Sequence, residues 1–153
     1  MPFIPIILNQ IKYPTKEEIM DKPMLHKKEV IEIIKNWRKN YWREVKNSAN
    51  NEAKFNAIIA LLEAIAEFYN KPVNARYIPT APSYSYNPRT KTIIINRSLS
   101  IISALHELAH CLFNANETKA CRWSIWLFKK AFPMAFNKLI WREHMLVKPK
   151  HQI

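Results

Sequence analysis

Apolar side chains recur at helical spacing over most of this chain, and alternate with polar ones only in a short central stretch. Pro14-Thr15-Lys16-Glu17-Glu18 has the form of a capping box, so a short helix starts after Thr15 and stops before Pro23. From Lys27 to about Lys46, Val30, Ile33, Ile34, Trp37, Tyr41 and Val45 form one face of a longer helix. Lys35, Arg38, Lys39, Arg43 and Lys46 occupy its remainder as a solvated basic side, and Trp37, Tyr41 and Trp42 among those cations offer a nucleic-acid surface as the competing reading. The cleanest helix runs from Glu52 to Asn70, with Phe55, Ile58, Ile59, Leu62, Ile65, Ala66 and Tyr69 as a core stripe. Val73 to Ile78 then alternates like a strand, and Tyr84–Tyr86 and Thr92–Ile95 flank the turn Asn87-Pro88-Arg89-Thr90 as a hairpin or two neighbouring strands.

Beyond the strands, Ser98 or Ser100 caps a helix whose two faces differ in chemistry. Ile101, Leu105, Leu108 and Leu112 share one face; Ser103, His106, Glu107 and His110 share the other. Asn114-Ala115-Asn116 breaks it, and Glu117 to about Phe132 forms the next helix, burying Ala120, Trp123, Ser124, Leu127, Phe128 and Ala131. After Pro133 a final helix is expected from Met134 to about Met145, carrying Trp141, Glu143 and His144. The pattern predicts an α+β fold: a mostly helical single domain over residues 1–153, with a small β-sheet packed on the histidine helix. Residues 1–48 read as a helical extension, 49–146 as the core and 147–153 as a flexible tail.

Composition narrows the function classes. At 48% hydrophobic, 153 residues can bury a core without staples, and Cys111 and Cys121 are too few for a secreted disulfide framework, leaving at most one bridge between them. No run approaches the roughly 20 apolar residues of a membrane span, and Met1 to Leu8 lacks the form of a signal peptide, so a soluble cytoplasmic protein is expected. Glycine is absent, which excludes glycine-dependent phosphate loops; Asn87, Asn96, Asn114 and Asn116 are the expected turn formers, able to enter left-handed conformations. The net charge of +12 reflects either plain solubility or a polyanionic partner such as nucleic acid.

The candidate chemistry centres on Leu105-His106-Glu107-Leu108-Ala109-His110. Residues four apart on a helix share a face, so His106 and His110 can offer two imidazoles to one metal ion with Glu107 beside them. A catalytic zinc needs a third protein ligand. Glu117 is favoured, because the break at Asn114 lets the chain reverse over the metal; Cys121, Glu143, His144 and, more remotely, His26 and His151 are the alternatives. Cys121, one turn after Glu117, suits a ligand or a group behind one, whereas Cys111 projects about 100° from His110 and is expected to be structural. Glu107 is the general base, and His144, Tyr84 and Tyr86 are possible donors to an oxyanion.

These residues resemble the zincin metallopeptidases. Within them, Asn116-Glu117-Thr118-Lys119-Ala120-Cys121 is similar to the gluzincin glutamate helix, Asn-Glu-x-x-Ser-Asp, with Ala120 and Cys121 in place of Ser and Asp. The small single-domain minigluzincins and the ImmA/IrrE-type peptidases of mobile elements are nearest in size. The resemblance covers roughly residues 50–133 and implies Zn²⁺ as cofactor, a protein or peptide substrate, and an edge strand at Ile93-Ile94-Ile95 serving as substrate shelf. The expected function is peptide-bond hydrolysis by a zinc-activated water with Glu107 as general base. The alternative is a basic nucleic-acid-associated regulatory protein whose zincin site is structural or degenerate.

Overall fold

The computed structural model describes residues 13–148. Its order is α1 (Lys16–Met20), α2 (Lys28–Trp37), a π-helical turn (Arg38–Trp42), α3 (Arg43–Val45), α4 (Asn51–Phe68), β1 (Asn74–Tyr77), β2 (Ser85–Asn87) and β3 (Thr92–Ile95). It continues with α5 (Ile101–Phe113), α6 (Glu117–Ala131), α7 (Pro133–Asn137), β4 (Ile140–Arg142) and β5 (Met145–Val147). With 54% of the described residues helical and 12% in strands, the class is α+β.

The expected capping box starts α1: the Glu18 N–H donates to Thr15 Oγ1 at 3.1 Å, and the Thr15 N–H donates to Glu18 Oε1 at 3.0 Å. At its far end Arg122 of α6 gathers the carbonyls of Glu18, Ile19 and Lys22 and the carboxylate of Asp21, docking α1 on α6. The helix expected from Lys27 to Lys46 is one continuous rod interrupted by the π turn. It buries Val30, Ile34 and Trp37 in the main core, and the Trp37 indole N–H donates to the Ala57 carbonyl of α4 at 2.6 Å. Trp37 is therefore a core residue, unavailable to any ligand. Ile58, Leu62 and Ile65 of the expected stripe in α4 are fully buried, and so is Leu61, which lies outside that stripe.

Three strands form a sheet of order β1-β3-β2, with β1 parallel and β2 antiparallel to β3. Alternation in β3 buries Ile93 and Ile95 in the same core as Leu105 and Leu108 of α5. Ile93-Ile94-Ile95 is thus the central strand, not the expected edge: both its sides are occupied by ladder hydrogen bonds, and the open edge beside α5 belongs to β2.

Two other expectations change. The helix expected from Met134 to Met145 is a short α7 followed by the hairpin β4–β5, with Trp141 opposite Leu146. Trp141 and Leu146 pack against Ile19, Cys121 and Ile125, so burial in a second apolar cluster outweighs helical propensity there. Glu143 turns the hairpin at φ 59°, a conformation that no Gly or Asn in the sequence advertised. Val147, placed in the tail by the sequence pattern, is the last residue of β5. Of the four asparagines expected to form turns, Asn114 alone is left-handed, at φ 49°. Asn87, Asn96 and Asn116 make their turns with side-chain oxygens instead, accepting from the N–H groups of Arg89, Ser98 and Lys119. Among the described residues no helix is long and apolar enough to cross a membrane.

Asn114 is exposed, so its contribution to stability is conformational. Replacement by Ala should lower the unfolding free energy in urea by about 1 kcal/mol, while Asn114→Gly stays within about 0.5 kcal/mol of the parent. Equal losses in both variants would show that the side chain, not the left-handed backbone, matters.

Candidate metal centre

Helix α5 begins at Ser100, whose hydroxyl accepts from the Ser103 N–H at 3.2 Å; the Ser100 N–H itself donates to the Tyr84 hydroxyl at 2.6 Å. Ala104, Leu105, Leu108, Ala109 and Leu112 are buried, while His106, Glu107 and His110 are half-buried on the other face, as the spacing predicts. The Asn114 N–H returns to the His110 carbonyl at 3.0 Å and closes the helix. Two residues later Asn116 caps α6, which makes Glu117 its first residue and swings that carboxylate back over the histidines.

The result is a three-sided cluster. His106 Nε2 lies 3.0 Å from Glu117 Oε2, His110 Nε2 lies 3.0 Å from Glu117 Oε1, and the two Nε2 atoms are 3.2 Å apart. Donors about 2.0–2.1 Å from a tetrahedral ion stand roughly 3.3 Å from one another, close to each of these three spacings, with the two histidines facing different oxygens of Glu117. His106, His110 and Glu117 form a cluster able to hold a metal ion.

The groups behind the ligands are arranged to the same end. A carbonyl only accepts, so the 2.7 Å contact of His110 Nδ1 with Ala115 O places a proton on Nδ1 and frees the Nε2 lone pair for the cluster. Cys121 Sγ lies 3.7 Å from His106 Nδ1. Its thiol is pushed up to about 12 by burial first and by the Glu117 and Glu107 carboxylates next. Cys121 therefore sits behind His106 as a neutral thiol and is outside the ligand cluster. Both cysteines are free, and Cys111 reaches the Pro72 carbonyl instead.

Two histidines hold the Glu117 carboxyl well below the usual carboxylate range, and His110 is correspondingly raised, chiefly by its hydrogen bond to Glu117. Glu107 moves the other way. Burial raises it, His106 and His110 oppose, and Glu117 adds a further push upward. No hydrogen bond fixes its carboxyl among the described residues.

A cleft of about 810 Å³ opens over the cluster, between β2 with its preceding loop and the β4–β5 hairpin. Tyr84, Tyr86 and His144 line it, Glu143 does not. Tyr84 is tied to Ser100 and raised to about 12 by burial; Tyr86 is raised to about 12 by burial first and by Cys111 next. His144 stacks on Tyr13 at 4.3 Å between ring centroids, which puts an aromatic pair at the cleft wall. His26 lies elsewhere, its two nitrogens engaged by the carbonyls of Met24 and Trp123 and its pKa lowered by burial. His151 falls outside the described residues. The sequence reading missed the Ala115 carbonyl and Tyr13: the first is backbone and leaves no residue-type signal, and the second lies more than ninety positions from the histidines.

Compared with protein-family models, curated proteins and solved structures, the chain matches none.

Two measurements follow from this geometry. Cys121→Ala should weaken divalent-metal binding about 10- to 100-fold in chelator competition, whereas an unchanged constant would show that the sulfur does not orient His106. In metal-free protein, Glu117 stabilises above its ordinary value of 4.5 and loses that contribution as pH falls through its depressed value; His110 stabilises below 6.5 and loses it as pH rises through its raised value. The Tm difference between the parent and Glu117→Gln should therefore be largest between 4.5 and 6.5 and shrink as pH rises through the raised His110 value. Excess divalent metal should shift the maximum toward about pH 8, because protons then no longer compete for the nitrogens. A pH-independent difference in both states would contradict the assignment.

Proposed function

We propose that the chain is a zinc-dependent metallopeptidase in which His106, His110 and Glu117 hold the metal and Glu107 moves the proton. The observation that carries this reading is the convergence of three ligand atoms beside a half-buried carboxyl without a hydrogen-bond partner, in one open cleft. Zinc suits two imidazoles and a carboxylate with one position left open, and when bound it would acidify a water and polarise a carbonyl as a Lewis acid.

The remaining chemistry belongs to the chain. A Glu107 carboxylate oxygen takes a proton from the attacking water as its oxygen bonds to the peptide carbonyl carbon. The same carboxyl then gives that proton to the amide nitrogen as the C–N bond breaks. Its upward shift favours both transfers, because the acid and base forms come closer in energy near neutral pH. His144 and Tyr86, both on the cleft wall, would donate to the developing oxyanion. Among the described residues β2 is an edge strand along the cleft, and an extended peptide substrate would add there as a further strand.

Glu107→Gln should lower kcat/KM for a fluorogenic peptide mixture by about 10²–10⁴ while zinc stoichiometry stays at that of the parent. Retained cleavage in that variant would sink the assignment.

A further inference from the structure

The rod formed by α2, the π turn and α3 carries a second feature, independent of the metal centre. Between Ile33 and Asn51 the chain has five cations, Lys35, Arg38, Lys39, Arg43 and Lys46, and one acid, Glu44. All five cations are exposed, none lines the cleft, and none forms an ion pair among the described residues.

The π turn decides how they are displayed. In an uninterrupted α-helix Arg43 would lie about 140° around the axis from Arg38. Here the Arg43 N–H donates to the Arg38 carbonyl, which stacks the two residues one above the other. Lys35 and Lys39 are four apart, as are Lys39 and Arg43, and Lys46 follows Arg43 by three, so each falls on the face of the last. The five thus share one side of the rod, spread over an arc of about 100° set by the neighbours Arg38 and Lys39, with the single acid Glu44 flanking it. The Arg38 guanidinium rests on the Phe132 ring at 5.3 Å, which anchors one side of the stripe to the body of the protein.

We propose that this stripe binds the phosphate backbone of nucleic acid without reading sequence. From Lys35 to Lys46 the rod rises roughly 16 Å, a length over which duplex DNA presents about nine phosphates, so four or five can be neutralised at once. A linear row of fixed cations suits a linear polyanion. A lipid surface is disfavoured by the other face of the rod: Val30, Ile34 and Trp37 are spent in the core, and Tyr41 is the one large apolar side chain exposed on it among the described residues.

Fluorescence anisotropy of the full chain with a fluorescein-labelled duplex of about 20 base pairs tests this. Binding should be micromolar at low salt, with log K falling against log salt at a slope of about −4. The triple variant K35A/K39A/R43A should bind at least tenfold more weakly with a slope reduced by about 2.5. The control K71A/R76A/R89A removes the same charge from exposed positions near the sheet and should stay within about twofold of the parent. Circular dichroism confirms that both variants are folded. Equal weakening in the two triples, no duplex binding at about 50 mM salt, or preferential binding to phosphatidylserine vesicles over the duplex would each overturn the proposal.

Discussion

Two imidazole nitrogens 3.2 Å apart, each facing a carboxylate oxygen at 3.0 Å, need a proton or a cation in each gap, because bare lone pairs repel at these separations. His110 already spends its Nδ1 proton on the Ala115 carbonyl, so a proton-only solution requires His110 as imidazolium. A divalent ion would satisfy both nitrogens and the carboxylate at once and leave both outer nitrogens free for the groups behind them. That requirement is the constraint on which the site depends, and the surrounding structure is built to impose it.

Helix α5 is held rigid from its buried side by Leu105, Leu108 and Leu112, against α4 and the sheet. The chain then has two residues after Asn114 in which to reverse. The left-handed Asn114 and the Asn116 cap make that reversal, and α6 starts with its carboxylate already over the histidines. Helix α6 is buried on two sides, by Trp123 and Leu127 in the main core and by Cys121 and Ile125 against α1 and the hairpin. Movement of α6 would therefore have to break both clusters, which fixes Glu117 far better than its own short side chain could. The N-terminal helices serve the site through this packing, and their solvent face is left free for another purpose.

Much of this was legible in the sequence because it rests on local periodicity. The two-faced helix at His106–His110, the stripe of α4, the Thr15 capping box and the asparagine break follow from side-chain spacing and short-range hydrogen bonding. Glu117 was legible for the same reason, since a turn only a few residues long fixes where the chain goes next. What escaped depends on contacts between distant segments. Strand order cannot be read from alternation alone, so Ile93–Ile95 read as an edge although β1 crosses over to pair on its far side. The β4–β5 hairpin lacks turn residues and owes its form to burial of Trp141 and Leu146 beside α1 and α6. The π turn is equally hidden: at α-helical spacing Tyr41 follows Trp37 on the apolar face, whereas the extra residue stacks Trp42 on Trp37 against the core and leaves Tyr41 exposed.

X-ray absorption at the zinc edge of stoichiometrically loaded protein tests the central assignment most directly. The account predicts only nitrogen and oxygen neighbours at about 2.0–2.1 Å, with the multiple scattering of two imidazoles. A sulfur neighbour at about 2.3 Å, or fewer than two imidazoles, would contradict it and remove His106, His110 and Glu117 as the ligand set.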